Sequence, residues 1–219
     1  MKILLTGASG KLGGVLAALL APDHELVYLD RTASDHLPAG TTYALDLTKT
    51  EGLEEIFAKE KPEAVIHLAA ILGPVCEQNP ALAKQINVKG TVTLAELAVK
   101  HGARKFIFAS TSSVYHQKMM EPTDERHNID PQSVYGRTKY EAEQELAALA
   151  VQNPGTKFTT FRMFNIYGPT FTDSLVYKLI HSTPESPQQL FGLENFVRDY
   201  IHVDDVAKAF GRAINGESH

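Results

Sequence analysis

Residues 1–30 read as strand, glycine turn, helix, strand and terminal acid, in that order. Met1-Lys2-Ile3-Leu4-Leu5 is a short, mainly apolar strand that runs directly into Thr6-Gly7-Ala8-Ser9-Gly10-Lys11-Leu12-Gly13. An Ala/Leu-rich helical stretch follows, then Glu25-Leu26-Val27-Tyr28-Leu29, which ends on Asp30. A dinucleotide-binding βαβ unit requires that order. Gly7 allows the tight exit from the strand, Gly10 lets backbone N–H groups approach a pyrophosphate, and Gly13 lets the helix pack close to the sheet. Ser9 lies in the same turn, and the helix N-terminus offers unpaired N–H groups and a positive dipole end to phosphates. Asp30 would accept hydrogen bonds from the ribose hydroxyls, and its charge would repel a 2′-phosphate, which favours NAD over NADP. Arg31 beside it leaves NADP open.

The chain has 219 residues, 43% of them hydrophobic, and a formal net charge of −5. That length supports one substantial core, or one core with a small appendage. The acidic balance leaves no electrostatic footprint for nucleic acid or an anionic membrane. No apolar run approaches the roughly 18 residues needed to span a bilayer. Cys76 is the single cysteine, so disulfides within the chain and cysteine-based zinc sites are excluded, and no metal site is expected. With the first strand beginning at Met1, a cytoplasmic setting is the expectation.

Strand and helix signals alternate through most of the length, which argues for an α/β fold with a parallel sheet. Further strands are read at residues 41–45, 64–68, 105–109 and 158–163. Helices are read at 50–58, 79–100 and 134–151, the second stopping at Gly102 as a C-terminal cap. From residue 168 the pattern loosens: a helix at about 173–181, a polar stretch, a strand at 199–203, and a last helix that Asp204 would cap. We read a doubly wound Rossmann-type core over residues 1–165 and a small, incomplete C-terminal substrate lobe over 166–219, interleaved with the core.

Tyr135-Gly136-Arg137-Thr138-Lys139 opens a predicted helix, and a spacing of four sets Tyr135 and Lys139 on one face. A free tyrosine titrates near 10, too high for a base at neutral pH. A neighbouring ammonium and an oxidised nicotinamide both favour phenolate, so the pair makes an acid/base near the operating pH. The lysine also suits the nicotinamide ribose. Ser110-Thr111-Ser112-Ser113-Val114-Tyr115 follows the fifth strand, so its hydroxyls would lie at the same sheet edge, available to a substrate oxygen.

Together these motifs resemble the extended short-chain dehydrogenase/reductases of the NAD-dependent sugar epimerase/dehydratase group. The resemblance continues through Asp46-Leu47, His67-Leu68-Ala69-Ala70, Asn87-Val88-Lys89-Gly90-Thr91, Arg162-Met163-Phe164-Asn165-Ile166-Tyr167-Gly168-Pro169 and Arg198-Asp199-Tyr200-Ile201-His202-Val203-Asp204-Asp205-Val206, over nearly the whole chain. It implies that Lys11 and Leu12 line the pyrophosphate with their backbone. It implies too that Asp46 and Leu47 contact the adenine, and Leu68, Ala69 and Ala70 the underside of the cofactor. Asn87 would brace the loop beside the nicotinamide half, and Phe164 would lie near that ring. Thr111 would be the catalytic hydroxyl beside Tyr135 and Lys139. Ser112, Ser113, Asn165 and Arg198 would face the substrate, the last two holding its diphosphate, for which a guanidinium fork is suited. His67 and His202 are read as structural.

Two departures qualify the resemblance. Family dehydratases carry an Asp-Glu pair just after the catalytic Thr, where this chain has Ser112 and Ser113, so 4,6-dehydration is not expected. Relatives also continue for many tens of residues beyond the Asp-Asp-Val-Ala helix, and residues 182–196 lack the family pattern that grips a nucleotide base. Three functions remain in view. The leading one is an NAD-dependent epimerase acting on a nucleotide-sugar through a transient keto intermediate. The second is a dehydrogenase of a small alcohol, a uronic acid or an amino-acid hydroxyl, drawing on similarity of residues 68–82 to threonine dehydrogenases. The third is a non-enzymatic NAD-responsive binding module. A homodimer through the helices at 79–100 and 134–151 is what the resemblance implies.

Overall fold

Fully buried aliphatic runs set the centre of the molecule. In the computed structural model, which describes residues 1–32, 34–115, 123–190 and 198–216, the strands β1 (Lys2–Thr6), β2 (Glu25–Asp30), β3 (Thr41–Ala44), β4 (Ala64–His67), β5 (Lys105–Thr111) and β6 (Lys157–Met163) form one sheet. Their order is β3-β2-β1-β4-β5-β6, and every neighbouring pair is parallel. All four residues of β4 are buried, as the continuous apolar run of a strand covered on both faces demands.

Helices cover both faces. On one, α1 (Lys11–Leu20) packs against the last helix, α8 (Val203–Asn215), joining Leu16 and Leu20 to Val206, Phe210 and Ile214. On the other lie α2 (Thr50–Glu60), α5 (Thr91–Lys100) and α6 (Val134–Gln152), whose Phe57, Leu94 and Leu146 close over Leu4, Val65 and Phe106. This is the doubly wound architecture expected. The terminal helix is thus part of the main core, although the chain reaches it only after a small parallel pair, β7 (Asn165–Tyr167) and β8 (Tyr200–His202).

Three local readings change. The expected helix at 79–100 is divided into α4 (Pro80–Ala83), a π-helical stretch (Lys84–Gly90) and α5, and is preceded by α3 (Gly73–Gln78). Asn79 leaves helical geometry at φ −139 before Pro80, and its side chain caps Leu82 N at 3.0 Å. The final helix is capped by His202 rather than Asp204: the residue is extended (φ −70, ψ 141), and its Nδ1 accepts from Asp204 N at 3.2 Å. β7 was not anticipated, because three residues carry no periodicity. Of residues 182–196, expected to lack the family pattern that grips a nucleotide base, 191–196 lie outside the described residues. The other elements fall within two residues of their expected ends, and Gly102 takes the left-handed φ of +80 after α5.

The glycine turn packs on itself. A Cβ at Gly13 would stand 2.3 Å from Gly7 O and 2.5 Å from Ala8 O, so the first turn of α1 closes on the backbone of the loop that feeds it. Gly13→Ala is expected to cost roughly 1–3 kcal/mol through forced displacement of that backbone. Urea unfolding reads it, and an unchanged midpoint contradicts the close approach.

Candidate active site

β1 and β4 are neighbours whose connections leave toward opposite edges of the sheet, and crevices for ligands open at the carboxyl ends of such strands. A cleft of about 390 Å³ lies there, lined by Gly7, Ser9, Gly10, Asp30, Arg31, Asp46, Leu47, Leu68, Ala69 and Ala70 among others. Ten of the predicted cofactor-facing residues therefore share one concave surface. Asp30 is held in place: its Oδ2 accepts from Ser9 N at 3.0 Å and its Oδ1 from Arg31 N at 2.7 Å. Asp46 accepts from Thr48 N at 2.9 Å, which holds its carboxyl below the usual range. No side chain caps α1 at Gly10, so the first-turn donors are left to a ligand. Carboxylates, bare helix donors and apolar walls gathered in one cleft fit an adenine dinucleotide.

Lys11, Leu12 and Gly13 do not line this cleft. Leu12 and Gly13 are buried behind the turn, and the Lys11 ammonium pairs with Asp173 and lies 5.8 Å from the Phe171 ring. That contact ties the glycine turn to the C-terminal segment.

The floor of the crevice is a directed chain of hydrogen bonds. Parallel register sets Thr6 beside His67. Thr91 Oγ1 donates to Asn87 O at 2.8 Å, so it must accept from His67 Nε2 at 2.8 Å. His67 Nδ1 is then the acceptor, taking the Thr6 hydroxyl at 2.7 Å, while Thr6 Oγ1 accepts from Ala69 N at 3.3 Å. Burial first, and then the nearby Lys139 charge, push the imidazole down to about 3, so it stays neutral. Asn87, wholly buried in the π-helical stretch, uses both ends of its amide on one residue. Its Oδ1 accepts from Ile71 N at 2.9 Å and its Nδ2 donates to Ile71 O at 3.1 Å. The loop after β4 is thereby braced, and a second bond from Nδ2 reaches Thr138 on α6 at 3.2 Å.

The N-terminus of α6 brings in the acid/base pair. Ser133 Oγ caps the helix by accepting from Gly136 N at 3.0 Å, and Glu77 accepts from Val134 N at 2.7 Å. A Cβ at Gly136 would stand 2.4 Å from Ser113 O, so only glycine lets the Tyr135 turn lie this close to the 3₁₀ turn Ser112–Val114. Tyr135 is half-buried; burial, with the Cys76 sulfur adding to it, pushes its phenol up to about 12, and a hydrogen bond from Thr111 opposes the rise. Lys139 is 1% exposed, with its Nζ 3.9 Å from the Phe108 ring centroid. Burial pushes it down to about 7, while Glu143 and Cys76 pull the other way. Thr111 thus meets Tyr135, and Lys139 lies one turn further along α6, with Cys76 close enough to act on both.

Asn165 meets the segment carrying Arg198 through the β7–β8 ladder, its Nδ2 donating to Asp199 O at 2.9 Å. Phe164 lines a separate cleft of about 680 Å³ beside β6, with Tyr115, Tyr140, Glu143 and Arg162. Sequence reasoning passed over Glu143 and Arg162, which form a forked, largely buried ion pair (Nε to Oε2 3.0 Å, Nη2 to Oε2 2.7 Å). The spacing of four from Lys139 to Glu143 was the available signal. Among the described residues, no group of three or more His, Cys, Asp or Glu side chains is placed to hold a metal ion. No helix among them is long and apolar enough to cross a membrane.

Comparison with known proteins agrees with this geometry. Residues 3–218 match the family described as the NAD dependent epimerase/dehydratase family. A UDP-glucose 4-epimerase of Rhizobium meliloti is 31% identical over 97% of this chain and 72% of its own length. The crystal structure of the Thermotoga maritima UDP-glucose 4-epimerase with UDP-glucose superposes with a TM-score of 0.86 at 31% identity, over 95% of this chain and 72% of that one. The Thermus thermophilus UDP-glucose 4-epimerase complex with NAD gives 0.85 at 28% identity, over 97% and 74%.

Lys139 carries a stability cost that pH exposes. Its folded value lies below its unfolded one, so the unfolded chain binds the extra proton between about 7 and 10.5, and stability rises with pH across that window. Lys139→Met is expected to stabilise the cofactor-free protein by about 2–4 kcal/mol at pH 7. The gain should shrink toward pH 9.5, before tyrosines titrate. Equal unfolding free energies at pH 7 contradict the buried ammonium.

Proposed function

The chain belongs to the NAD dependent epimerase/dehydratase family, and on that premise we propose that it is an NAD-dependent enzyme that interconverts epimers of a nucleotide-sugar. The observation that supports the reading is the Thr111–Tyr135 hydrogen bond with Lys139 buried one turn along the same helix, in a fold whose crevice suits a dinucleotide. The dehydrogenase and binding-module alternatives are not favoured by relatives that are themselves UDP-sugar epimerases.

In this reading, Gly7, Ser9 and Gly10 hold the pyrophosphate of NAD, Lys11 and Leu12 offer it only backbone N–H groups from the first turn of α1, and Gly13 lets that turn pack close behind it. Asp30 and Arg31 take the adenosine ribose, Asp46 and Leu47 the adenine, and Leu68, Ala69 and Ala70 the underside. Bound NAD supplies a ring that takes and returns hydride, and a positive charge beside the phenol. Tyr135 removes the proton of a sugar hydroxyl and later returns it. Thr111 orients that oxygen, and Lys139 favours the phenolate by its charge. Ser112 and Ser113 contact the sugar, while Asn165 and Arg198 take the diphosphate. Asn87 braces the loop at Ile71 beside the nicotinamide half, and Phe164, which lines the neighbouring cleft beside β6 in the cofactor-free structure, would have to turn toward that ring to contact it. The nucleotide-binding body is residues 1–165, and residues 166–219 are the partial substrate lobe interleaved with it. A cytoplasmic location, checked by fractionating cells, and a homodimer through the helices at 79–100 and 134–151 complete the reading. A monomer mass in light scattering at micromolar concentration removes the dimer.

The NAD-loaded protein is expected to convert UDP-glucose and UDP-galactose into one another, or to do so for a related UDP-sugar, without accumulating absorbance at 340 nm. Tyr135→Phe should lower kcat by about 10²–10⁴-fold, the range for a positioned acid/base, with NAD still bound. Loading with NAD but no turnover of any UDP-sugar contradicts the proposal, and stoichiometric NADH release turns it toward net oxidation.

A further inference from the structure

Behind the acid/base pair, four segments that carry proposed substrate-facing residues are fastened to one carboxylate. Tyr135, Lys139 and Glu143 repeat at intervals of four along α6, and Glu143 is 9% exposed. The Ser110 hydroxyl donates to Glu143 Oε1. Ser110 lies opposite Arg162 in the β5–β6 register, and the next residue along β5 is Thr111. Arg162 forks onto Glu143 through Nε, at 3.0 and 3.2 Å from the two oxygens, and through Nη2 at 2.7 Å. Its Nη1 donates to Tyr115 Oη at 2.8 Å, and its guanidinium lies 5.1 Å from that ring's centroid. Tyr115 closes the 3₁₀ turn of Ser112 and Ser113, and two residues beyond Met163, the end of β6, is Asn165.

We propose that Glu143, clamped by Arg162 and Ser110, is a positioning residue that supplies the counter-charge of Lys139 and fixes α6 in register with the strand carrying Thr111. This rests on the epimerase reading for its functional meaning, but its structural content is testable without turnover. Lys139 is faced by Glu143 from α6, on which Tyr135 stands one turn earlier, by neutral His67 from β4, by the Phe108 ring from β5 and by the Cys76 thiol from α3; Arg162 acts on it from β6 through Glu143. Among these, Glu143 is the carboxylate. Arg162 offsets part of its charge, so the two act on the amine in opposite senses.

The test is the Lys139 titration midpoint in the full chain, read by NMR of ¹⁵N-labelled lysine and assigned by its loss in Lys139→Arg. Glu143→Gln should lower the midpoint by about one unit, and Arg162→Met should raise it by about one unit, within the range for a close charge. Arg162→Lys keeps the charge and loses the fork, so it should restore the midpoint while kcat stays about tenfold down at unchanged KM for the UDP-sugar. Ser110→Ala, the mildest change, should leave the midpoint in place and lower kcat several-fold. Midpoints that do not move, or that move the same way in Glu143→Gln and Arg162→Met, overturn the proposal. If those two variants do not fold, a midpoint shift in Ser110→Ala, or full kcat in Arg162→Lys, overturns it instead. An inactive wild-type chain with opposite shifts would sink the functional reading and leave the clamp standing.

Discussion

The reversal of strand order between β1 and β4 opens the crevice on which the rest of the structure is arranged. Two parallel strands whose crossovers depart to opposite sides cannot have their carboxyl ends covered by the same connection, so a gap opens beyond Thr6 and His67, the buried last residues of the two strands. The glycine turn, Asp30 at the end of β2, the loop after β4 and the N-terminus of α6 all end at this edge. Each arrives there because a parallel sheet points every strand the same way.

A crevice that must accept a polar ligand, yet sits over a dry core, demands that its own polar groups be satisfied. The His67 chain meets that demand with each proton assigned: Ala69 N–H, Thr6, His67, Thr91 and Asn87 O pass hydrogen bonds in one direction. Asn87 does the same for the loop at Ile71. Leaving such a buried donor or acceptor unpaired costs about 1–3 kcal/mol. Among the described residues, the Tyr28 hydroxyl is the one such buried side-chain group without a partner. The π-helical stretch shifts helical register over residues that include Asn87, and such bulges recur where function needs a side chain off the regular helical face.

Charge follows the same logic with a different balance. A buried lysine costs stability, and the Glu143 charge reduces that cost without removing it, while Arg162 offsets part of that charge. The phenol of Tyr135, pushed upward by burial, is a poor base until more positive charge is brought beside it. A site arranged in this way is held in reserve by its own desolvation and becomes competent when its ligand completes the electrostatics. The same packing that makes Lys139 costly keeps it from reaching another geometry.

Local chemistry made much of this legible in advance. The spacing of glycines 7, 10 and 13, the acid closing β2, the apolar run of β4 and the Tyr135/Lys139 spacing each act over a few residues, so they read directly as turn, strand and helix face. The parallel sense of the six strands follows from their alternation with helices, while their order was read only from the structure. What escaped were contacts between residues distant along the chain. Thr6 and His67 are 61 apart, Glu143 and Arg162 19 apart, and α8 closes on α1 from the far end. Asn79 before Pro80 and the His202 cap were also missed, because a break or a cap depends on which nearby donor the fold leaves free. The sequence by itself determined the class of sheet, the edge where the candidate site lies and the pair proposed for its chemistry, since periodicity and turn sterics are local. Only the tertiary structure decided which carboxylate stands behind the lysine and which side chains hold the loops, because burial and pairing arise when distant segments meet out of water.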